Sequence, residues 1–358
     1  MMKKLSPELK RILEAGNSAP SGENCQPWHF VMRGAVIEVH MLPDRDQSAY
    51  SCGQRASFFA VGAVLENIVI AASAEGYRAT IEYFPRAARE VHVADIHLEK
   101  DAGIIADPLA ASIMNRVTNR KPYAKDALTE AERVAVLSAA KQADGDLVLL
   151  EERGHINRLG RIGSVNEEVM LANHLLHEFF FDHVNWTKEG DDKKKIGFYI
   201  KTLELPPPAE MMFKAFRHWP VMRVLSAIGF NRVVAAINAK QNASAAAIGA
   251  FLIDETDPLD FVRAGRAIER VWLAATSAGL SFQPLSGILF FKLKIDADQG
   301  SVFFPDEKTL ITDACQEISQ MVKADGKHVA FLFRLGHAPA PSARAVRFPL
   351  DEVVTMES

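Results

Sequence analysis

Two long apolar segments that repeat each other dominate the hydrophobic pattern of the chain. Leu65–Gly76 aligns with Ile268–Gly279, with a glutamate, an alanine pair and the closing glycine in register. Both segments are typical of buried helices that end at a glycine C-cap. A strand pattern follows each, over 91–98 and 327–334. Buried helices often resemble one another by chance because they share alanine and aliphatic residues, but the repeated order of elements favours an internal duplication.

The remaining patterns predict an α+β protein of two tandem halves, residues 1–107 and 108–358. For the first half we expect helices over 6–15 and 54–75, and strands near 29–32, 36–41, 79–84 and 91–98. In the second half Thr129 and Glu132 form a capping-box pattern that predicts a helix over 129–142. The other elements expected there are a strand over 147–151, helices within 155–182, a helix over 260–278 and a strand over 328–335.

Composition narrows the function classes. A chain of 358 residues with 48% hydrophobic and 24% charged residues is long enough for about two domain equivalents with a sizeable core. The net charge of −4, with basic residues dispersed except for Lys193–Lys195, predicts no nucleic-acid partner. The absence of an apolar signal core and of a long uncharged apolar stretch predicts no membrane insertion.

Cysteine and histidine usage predicts neither a disulfide framework nor a metal site. The three cysteines are far apart in the sequence and lack CxxC spacing, which fits a reducing compartment, so we expect a cytoplasmic protein. His174, His177 and His183 could share one helix face, but no carboxylate or cysteine completes a ligand set around them. No Gly-x-Gly-x-x-Gly follows a strand and no Walker-type loop occurs, which disfavours Rossmann and P-loop enzymes.

A polar loop over residues 19–28, called the ring loop below, carries candidate ligand-binding groups. Its prolines fix the backbone, its glycine permits close approach, and compact hydrogen-bonding side chains stand beside one another. The candidates are Pro20, Ser21, Gly22, Asn24 and Gln26. Taken alone, these residues also suit an ordinary helix-to-strand turn. The segment resembles the flavin-ring loop of the nitroreductase family, in which a Pro-Ser-x-x-Asn-x-Gln-Pro-Trp run lies along one side of a bound FMN.

Arginines at two places suggest a phosphate site. Arg116-x-Thr118-x-Arg120 resembles the Arg-x-Ser-x-Arg/Lys element that holds the FMN phosphate in nitroreductases, since guanidinium forks and a hydroxyl both donate to phosphate. Without the other motifs this spacing is more typical of a surface turn. Near the carboxyl end, Arg347, and less closely Arg344, resemble the terminal arginine that returns to the FMN phosphate in that family.

A third segment, residues 283–287, is called the amide loop below. It reads Gln283-Pro284-Leu285-Ser286-Gly287 and follows the second long helix, where the family places backbone amides facing the N5 and O4 edge of the flavin. Amide donors there would stabilise an electron-rich reduced ring. Many family members have Glu-Gly at this point, so Ser286-Gly287 leaves the backbone role in place but not a side-chain role toward nicotinamide. The alternative is a proline turn between a helix and a strand.

The motifs divide between the halves in a complementary way. The first half has the ring loop but no arginine element before its first helix, while the second half has the arginine element but no Pro-Ser-x-x-Asn loop after helix 129–142. The resemblance therefore implies a nitroreductase-like fold in which two fused halves form an intramolecular pseudo-dimer with one complete FMN site. A monomer suffices for that site, and a higher oligomer remains compatible with it.

The resemblance implies an FMN-dependent oxidoreductase. NAD(P)H, as a transient reductant, would deliver hydride to the flavin, where the chemistry occurs, and a small-molecule acceptor such as a nitroaromatic or a quinone would then be reduced. The alternative is an FMN-binding or storage protein with a lid that blocks reductase turnover. We expect an irregular, aromatic-rich insertion over about 185–245, which either packs as a core or forms a lid that controls access to the flavin.

Overall fold

The computed structural model describes residues 5–48, 50–86, 91–297 and 300–357. The helices are α1 Pro7–Asn17, α2 Arg55–Ala74, α3 Ala110–Ile113, α4 Glu130–Gln142, α5 Arg153–Gly163, α6 Val165–Ala172, α7 His174–Asp182, α8 Lys188–Lys194, α9 Pro207–Phe216, α10 Trp219–Ala227, α11 Phe230–Asn242, α12 Pro258–Ser277, α13 Gly287–Asp296, α14 Pro305–Val322 and α15 Leu350–Val353. The strands are β1 Trp28–Arg33, β2 Val36–Met41, β3 Tyr77–Tyr83, β4 His92–Lys100, β5 Asp146–Leu150, β6 Val184–Asn185, β7 Phe198–Tyr199, β8 Ala247–Ile253, β9 Ser281–Pro284, β10 His328–Gly336 and β11 Val354–Glu357.

Two sheets lie on either side of a central helix pair. The five-stranded sheet has the order β11-β1-β2-β4-β3 and the four-stranded sheet the order β5-β8-β10-β9. α2 packs on β2, β3 and β4, while α12 packs on β8, β9 and β10. The two helices also pack on each other, and together they carry much of the larger hydrophobic core. The α+β class predicted from the sequence is confirmed.

The central helices approach closely at two glycines that are related by the sequence repeat. A Cβ on Gly62 would lie 2.0 Å from the carbonyl oxygen of Val262, and a Cβ on Gly265 would lie 2.0 Å from that of Phe59. These positions correspond at the same offset that aligns Leu65–Gly76 with Ile268–Gly279. Each helix thus presents its glycine to the matching carbonyl of the other, as in a local two-fold arrangement.

Several elements differ from the sequence-based expectations. The insertion is not irregular, since it contains α8–α11 and a small parallel β6–β7 pair. The apolar strand β8 and the helices α13 and α14 were not predicted. β11 leaves the predicted second half and pairs in parallel with β1 of the first sheet. The capping box was predicted correctly, because the Thr129 hydroxyl accepts from the Glu132 amide and the Glu132 carboxylate accepts from the Thr129 amide.

The longest apolar helix belongs to the core. Among the described residues α2 is long and apolar enough to cross a membrane, and 83% of its most apolar window is buried inside the protein. Counted as one span, α10 and α11 are together also long and apolar enough to cross a membrane, but the two helices are bent by 87° relative to each other. The burial of α2 against α12 accounts for its apolar character without a membrane.

Candidate functional site

Arg116 meets Arg344 and Arg347, which are far from it in the sequence, beside the ring loop. Arg116 and Arg347 both donate to the carbonyl oxygen of Ser18, at 2.6 and 3.2 Å, and Arg344 donates to the carbonyl oxygen of Arg116 at 2.8 Å. Arg347 also donates to Ala19 O at 2.9 Å. We call Arg116, Arg344 and Arg347 the arginine cluster. It joins the predicted phosphate element to the predicted carboxyl-terminal arginines.

The arginine cluster carries more positive than negative charge. The Nε of Arg116 lies 3.0 Å from Oε1 of Glu269, and the Arg116 guanidinium lies 4.7 Å from the ring centroid of Trp272. Burial raises the pKa of Glu269 above its ordinary value, and the nearby positive charge of Arg116 offsets part of that rise. In the described part of the chain neither Arg344 nor Arg347 forms an ion pair, and Nε of Arg347 is buried without a hydrogen-bond partner.

The positive charge on Arg347 is costly in this environment. Its burial, and then its proximity to Arg116, lowers the pKa of Arg347 to about 9. Two or more guanidiniums around one carboxylate leave a surplus positive charge that a dianion would neutralise with charge-assisted hydrogen bonds. The arginine cluster is therefore suited to bind an anion.

The rest of the phosphate element lies on an extended segment. Thr118 forms a parallel bridge with Phe282, and the amide of Asn119 donates to Phe282 O at 2.9 Å. The Arg120 guanidinium lies apart from the arginine cluster and donates to Thr202 O at 3.1 Å, and burial lowers its pKa to about 10. Arg116 and Arg120 thus lie at two ends of the element.

The ring loop is sharply bent and internally bonded. Glu23, Asn24 and Gln26 have φ angles of 44°, 54° and 48°, a region that non-glycine residues seldom occupy. The Ser21 hydroxyl accepts from the Gln26 amide at 2.9 Å, which closes the loop. Gly22 begins a short 3-10 turn directly after Pro20 and Ser21. Strained backbone of this kind is concentrated at functional sites.

The amide side chains of the ring loop contact the insertion and the carboxyl-terminal segment. Asn24 Nδ2 donates to Lys195 O at 2.9 Å and to Val346 O at 3.0 Å. Gln26 Nε2 donates to Lys195 O at 2.8 Å, and its Oε1 accepts from the amide of Phe348 at 2.8 Å. These two side chains hold neighbouring segments of the protein in place. In this structure their polar groups are bonded within the chain.

The insertion contacts both parts of the predicted site. The amide of Gly197 donates to Glu23 O at 2.7 Å, and Thr202 O accepts from Arg120. A Cβ on Gly197 would lie 2.2 Å from His183 O, and its φ of 95° also favours glycine. The segment 195–202 therefore lies between the ring loop and the end of the phosphate element.

The amide loop joins the second sheet to α13. Ser286 Oγ donates to Leu332 O at 3.0 Å and accepts from the Leu332 amide at 2.9 Å, which fixes the buried serine to β10. The Leu285 amide donates to the same carbonyl at 2.7 Å, and Gln283 Oε1 accepts from Arg334 Nε at 2.8 Å. Pro284 ends β9, opposite Phe333. Gln283 Oε1 and Ser286 Oγ thus bond within the protein, and the backbone amides at the start of α13 are free of helical acceptors.

Gly287 brings further residues to the amide loop that sequence reasoning missed. A Cβ on Gly287 would lie 2.4 Å from Oδ1 of Asn166 and 3.2 Å from Cε1 of Tyr50. Tyr50 stacks on Phe291 with ring centroids 4.7 Å apart, and burial raises the pKa of Tyr50. Nothing in the local sequence distinguishes Tyr50 or Asn166, because their role depends on packing between distant segments.

Two partly buried glutamates near this region have carboxyl pKa values raised toward neutral pH. Burial raises the pKa of Glu23 to about 8 and that of Glu167 to about 7. Glu23 is therefore mostly neutral at pH 7 and adds little negative charge to the ring loop.

The sequence held a signal for Glu269, because this residue aligns with Glu66 in the repeated helix. Both glutamates are buried beside arginines.

An open groove lies elsewhere on the protein. It has a volume of about 740 Å³ and lies between α5, α6, α11 and α14. Arg158, Arg232 and Glu317 are among its lining residues, but none of the predicted site residues contributes to it. The groove is therefore separate from the ring loop, the arginine cluster and the amide loop.

Sequence comparison relates the chain to proteins of Mycobacterium tuberculosis. No protein-family model matches the chain. The chain is 27% identical over 351 residues to "Uncharacterized protein MT1398" (strain CDC 1551 / Oshkosh), which covers 97% of this chain and 48% of that relative. It is 25% identical over 296 residues to "Putative NAD(P)H nitroreductase Rv3131" (strain ATCC 25618 / H37Rv), covering 82% of this chain and 80% of that relative. The chain thus spans about half of the first relative.

Among solved structures, a nitroreductase with bound FMN from Desulfitobacterium hafniense DCB-2 overlays with a TM-score of 0.37 and 12% identity. The overlay covers 71% of this chain and 100% of the other. The chain is thus similar over most of its length to relatives that include a protein named as a putative NAD(P)H nitroreductase.

Proposed function

We propose that this protein binds one FMN between the ring loop and the amide loop, with the FMN phosphate at the arginine cluster. The proposal rests on the convergence of Arg116 and Arg347 at Ser18 O and of Arg344 at Arg116 O, with Nε of Arg347 buried and without a hydrogen-bond partner among the described residues. A phosphate dianion supplies the missing acceptor and the missing negative charge. The residues present therefore fit the group.

The proposed cofactor site draws on both predicted halves, which we propose as residues 1–107 and 108–358. The ring loop comes from the first, and the amide loop and all three clustered arginines come from the second. The reciprocal contacts of Gly62 and Gly265 support descent from a duplicated unit, since each glycine meets the matching carbonyl of the other helix. One chain would then hold one complete site.

We propose that the protein with FMN bound is an oxidoreductase that transfers electrons from NAD(P)H to a small-molecule acceptor such as a nitroaromatic or a quinone. FMN, when bound, supplies the ability to accept a hydride and pass on electrons. The chain would position the FMN at two places. The arginine cluster would bind the phosphate. The first backbone amides of α13 have no acceptor within their helix, so they offer hydrogen-bond donors beside Gly287. Such donors favour added negative charge in a partly buried site.

A storage role is the second candidate, because the insertion contacts the site directly. Lys195 O accepts from both ring-loop amides, and Thr202 O accepts from Arg120. In this arrangement segment 195–202 acts as a lid over the proposed flavin site. A lid that stays closed would retain FMN and exclude NAD(P)H.

Anaerobic reduction separates the two functions. The flavin-loaded protein is mixed without oxygen with NADPH or NADH, and the visible absorbance of the flavin is followed. The enzyme proposal predicts that at least one nicotinamide bleaches the flavin, with recovery when a quinone or nitroaromatic is added. Flavin that stays oxidised with both donors, yet is bleached by dithionite, would contradict the enzyme and support storage.

A further inference from the structure

A second cluster of chemically reactive side chains lies on the outer face of the first sheet, away from the proposed flavin site. In β2, Ile37, Val39 and Met41 are buried in the hydrophobic core, so the alternating residues Glu38 and His40 lie on the opposite face. That face is separated from α2 by the sheet itself. Its residues are therefore independent of the ring loop and the arginine cluster.

A β-bulge brings a second histidine to this face. Val39 pairs with Ala94, but the register between β2 and β4 then shifts so that His40 pairs with His92. Directly opposed residues on neighbouring strands lie on the same face, so the bulge places His92 next to His40. The imidazole rings stack with centroids 4.4 Å apart and an interplanar angle of 18°.

Glu38, His40 and His92 together have the geometry of a three-ligand metal site. One potential ligand atom of each residue lies within 4.8 Å of those of the other two. Nε2 of His40 is already 3.0 Å from Oε2 of Glu38. Donor atoms in a tetrahedral zinc site are about 3.3 Å apart, given bonds of about 2.0–2.1 Å, so small side-chain rotations would close the set.

The three candidate ligands also have outer partners of the kind that orient metal ligands. His92 Nε2 lies 2.7 Å from Oδ1 of Asp95, and Oε1 of Glu38 accepts from Arg33. A carboxylate bonded to one imidazole nitrogen leaves the other nitrogen to bind a metal, and a bonded carboxylate ligand is likewise held in orientation. His92 thus keeps its Nδ1, and Glu38 its Oε2, as an atom that could bind an ion.

An unsatisfied atom points to a missing partner at this place. His92 is 1% exposed, and its Nδ1 has no hydrogen-bond partner among the described residues. Leaving a buried polar atom unpaired is costly. The His40 side chain is 27% exposed, so a bound ion would also be reachable from solvent.

We propose that Glu38, His40 and His92 bind one divalent transition-metal ion, with Zn²⁺ as the best-matched probe. Two imidazoles and one carboxylate form a ligand set that zinc uses, and it leaves at least one coordination position open for water or another ligand. The ion would link β2 to β4 at the bulge. Asp95 and Arg33 act as positioning residues for the ligands.

The test is calorimetric titration of the full-length protein with ZnCl₂ in phosphate-free buffer. Wild-type protein is expected to bind one ion per chain at this site, and His40→Gln and Glu38→Gln are each expected to weaken that binding at least tenfold. Asp95→Asn, which removes an outer partner, is expected to weaken it by about 10-fold or more. Zn²⁺ should also raise the melting temperature of the wild type and not that of His40→Gln.

The matched control is His97→Gln, because His97 is on the same face of β4 but is half exposed and lies outside the cluster. It is expected to bind Zn²⁺ like the wild type. Equal affinity of the wild type, His40→Gln and Glu38→Gln would overturn the proposal, as would a weakening by His97→Gln as large as that by His40→Gln. Both glutamine variants keep side chains of similar size at positions that face away from the core, and circular dichroism of each shows that the comparison is made in the same fold.

Discussion

Arg347→Ala is expected to weaken FMN binding by roughly tenfold to a hundredfold. Arg347 lies between the ring loop and Arg116, and its Nε has no partner among the described residues. A hydrogen bond to a charged group contributes about 1.5–3 kcal/mol, which corresponds to that range of dissociation constants. Fluorescence titration of the flavin-stripped protein with FMN measures the effect.

The control for Arg347→Ala is Lys193→Ala, because a solvated lysine contributes little to binding. Circular dichroism of both variants shows whether the fold is kept. Arg116→Ala is a less clean choice, since it would leave Glu269 buried without its cation. If Arg347→Ala and Lys193→Ala bind FMN equally well, the arginine cluster is not the phosphate site.

Gly265→Ala is expected to destabilise the whole protein by on the order of 3 kcal/mol or more. The added Cβ would lie 2.0 Å from the carbonyl oxygen of Phe59, so α2 and α12 would have to move apart in the centre of the core. A melting temperature lower by roughly 4 °C or more corresponds to that loss in a chain of 358 residues, given an unfolding entropy of about 2.1 cal/mol/K per residue. Differential scanning calorimetry of the flavin-free protein measures it without a contribution from binding.

Gly103→Ala is the control for that experiment. Its Cβ would meet Asp101 Oδ1 at 3.4 Å, which is an ordinary contact, and Gly103 is exposed. Its effect on the free energy of unfolding is expected to stay within about 0.5 kcal/mol. Identical melting of Gly265→Ala and the wild type would show that the central helices do not pack through this glycine.

Much of the first sheet and both central helices could be predicted because their patterns are local. β2 alternates between core and outer face, and α2 and α12 are long enough for their apolar character to indicate helices. β8 was missed since Ala247–Ile253 is buried along its whole length, and a short apolar run does not distinguish a strand from a helix. β11 was missed because a four-residue edge strand depends on the partner that it meets.

Residues of the candidate site could be predicted only where they belong to a recognisable sequence motif. The resemblance identified Arg116, Arg344 and Arg347 as candidates, and the structure brings these three together. It did not identify Tyr50 or Asn166, which reach Gly287 from other elements through tertiary packing. The helix repeat held a further signal, since Glu269 aligns with Glu66, but the carboxylate's partner Arg116 becomes visible only in three dimensions.

The outer face of the first sheet gave no sequence signal for a metal. Glu38 and His40 are two residues apart, but His92 comes from another strand. The face of the sheet on which His92 lies depends on a β-bulge, and the hydrophobic pattern of the sequence does not locate that bulge. The histidines singled out from the sequence, His174, His177 and His183, instead pack among aromatic rings or bond to backbone.

We propose above that one chain holds one FMN site made from both predicted halves. The direct measurement is the amount of flavin released by acid from the FMN-saturated, gel-filtered protein, divided by the amount of protein from amino-acid analysis. We expect a ratio of about one FMN per chain, because one ring loop and one arginine cluster meet. A ratio near two, or no retained flavin at saturating FMN, would contradict it.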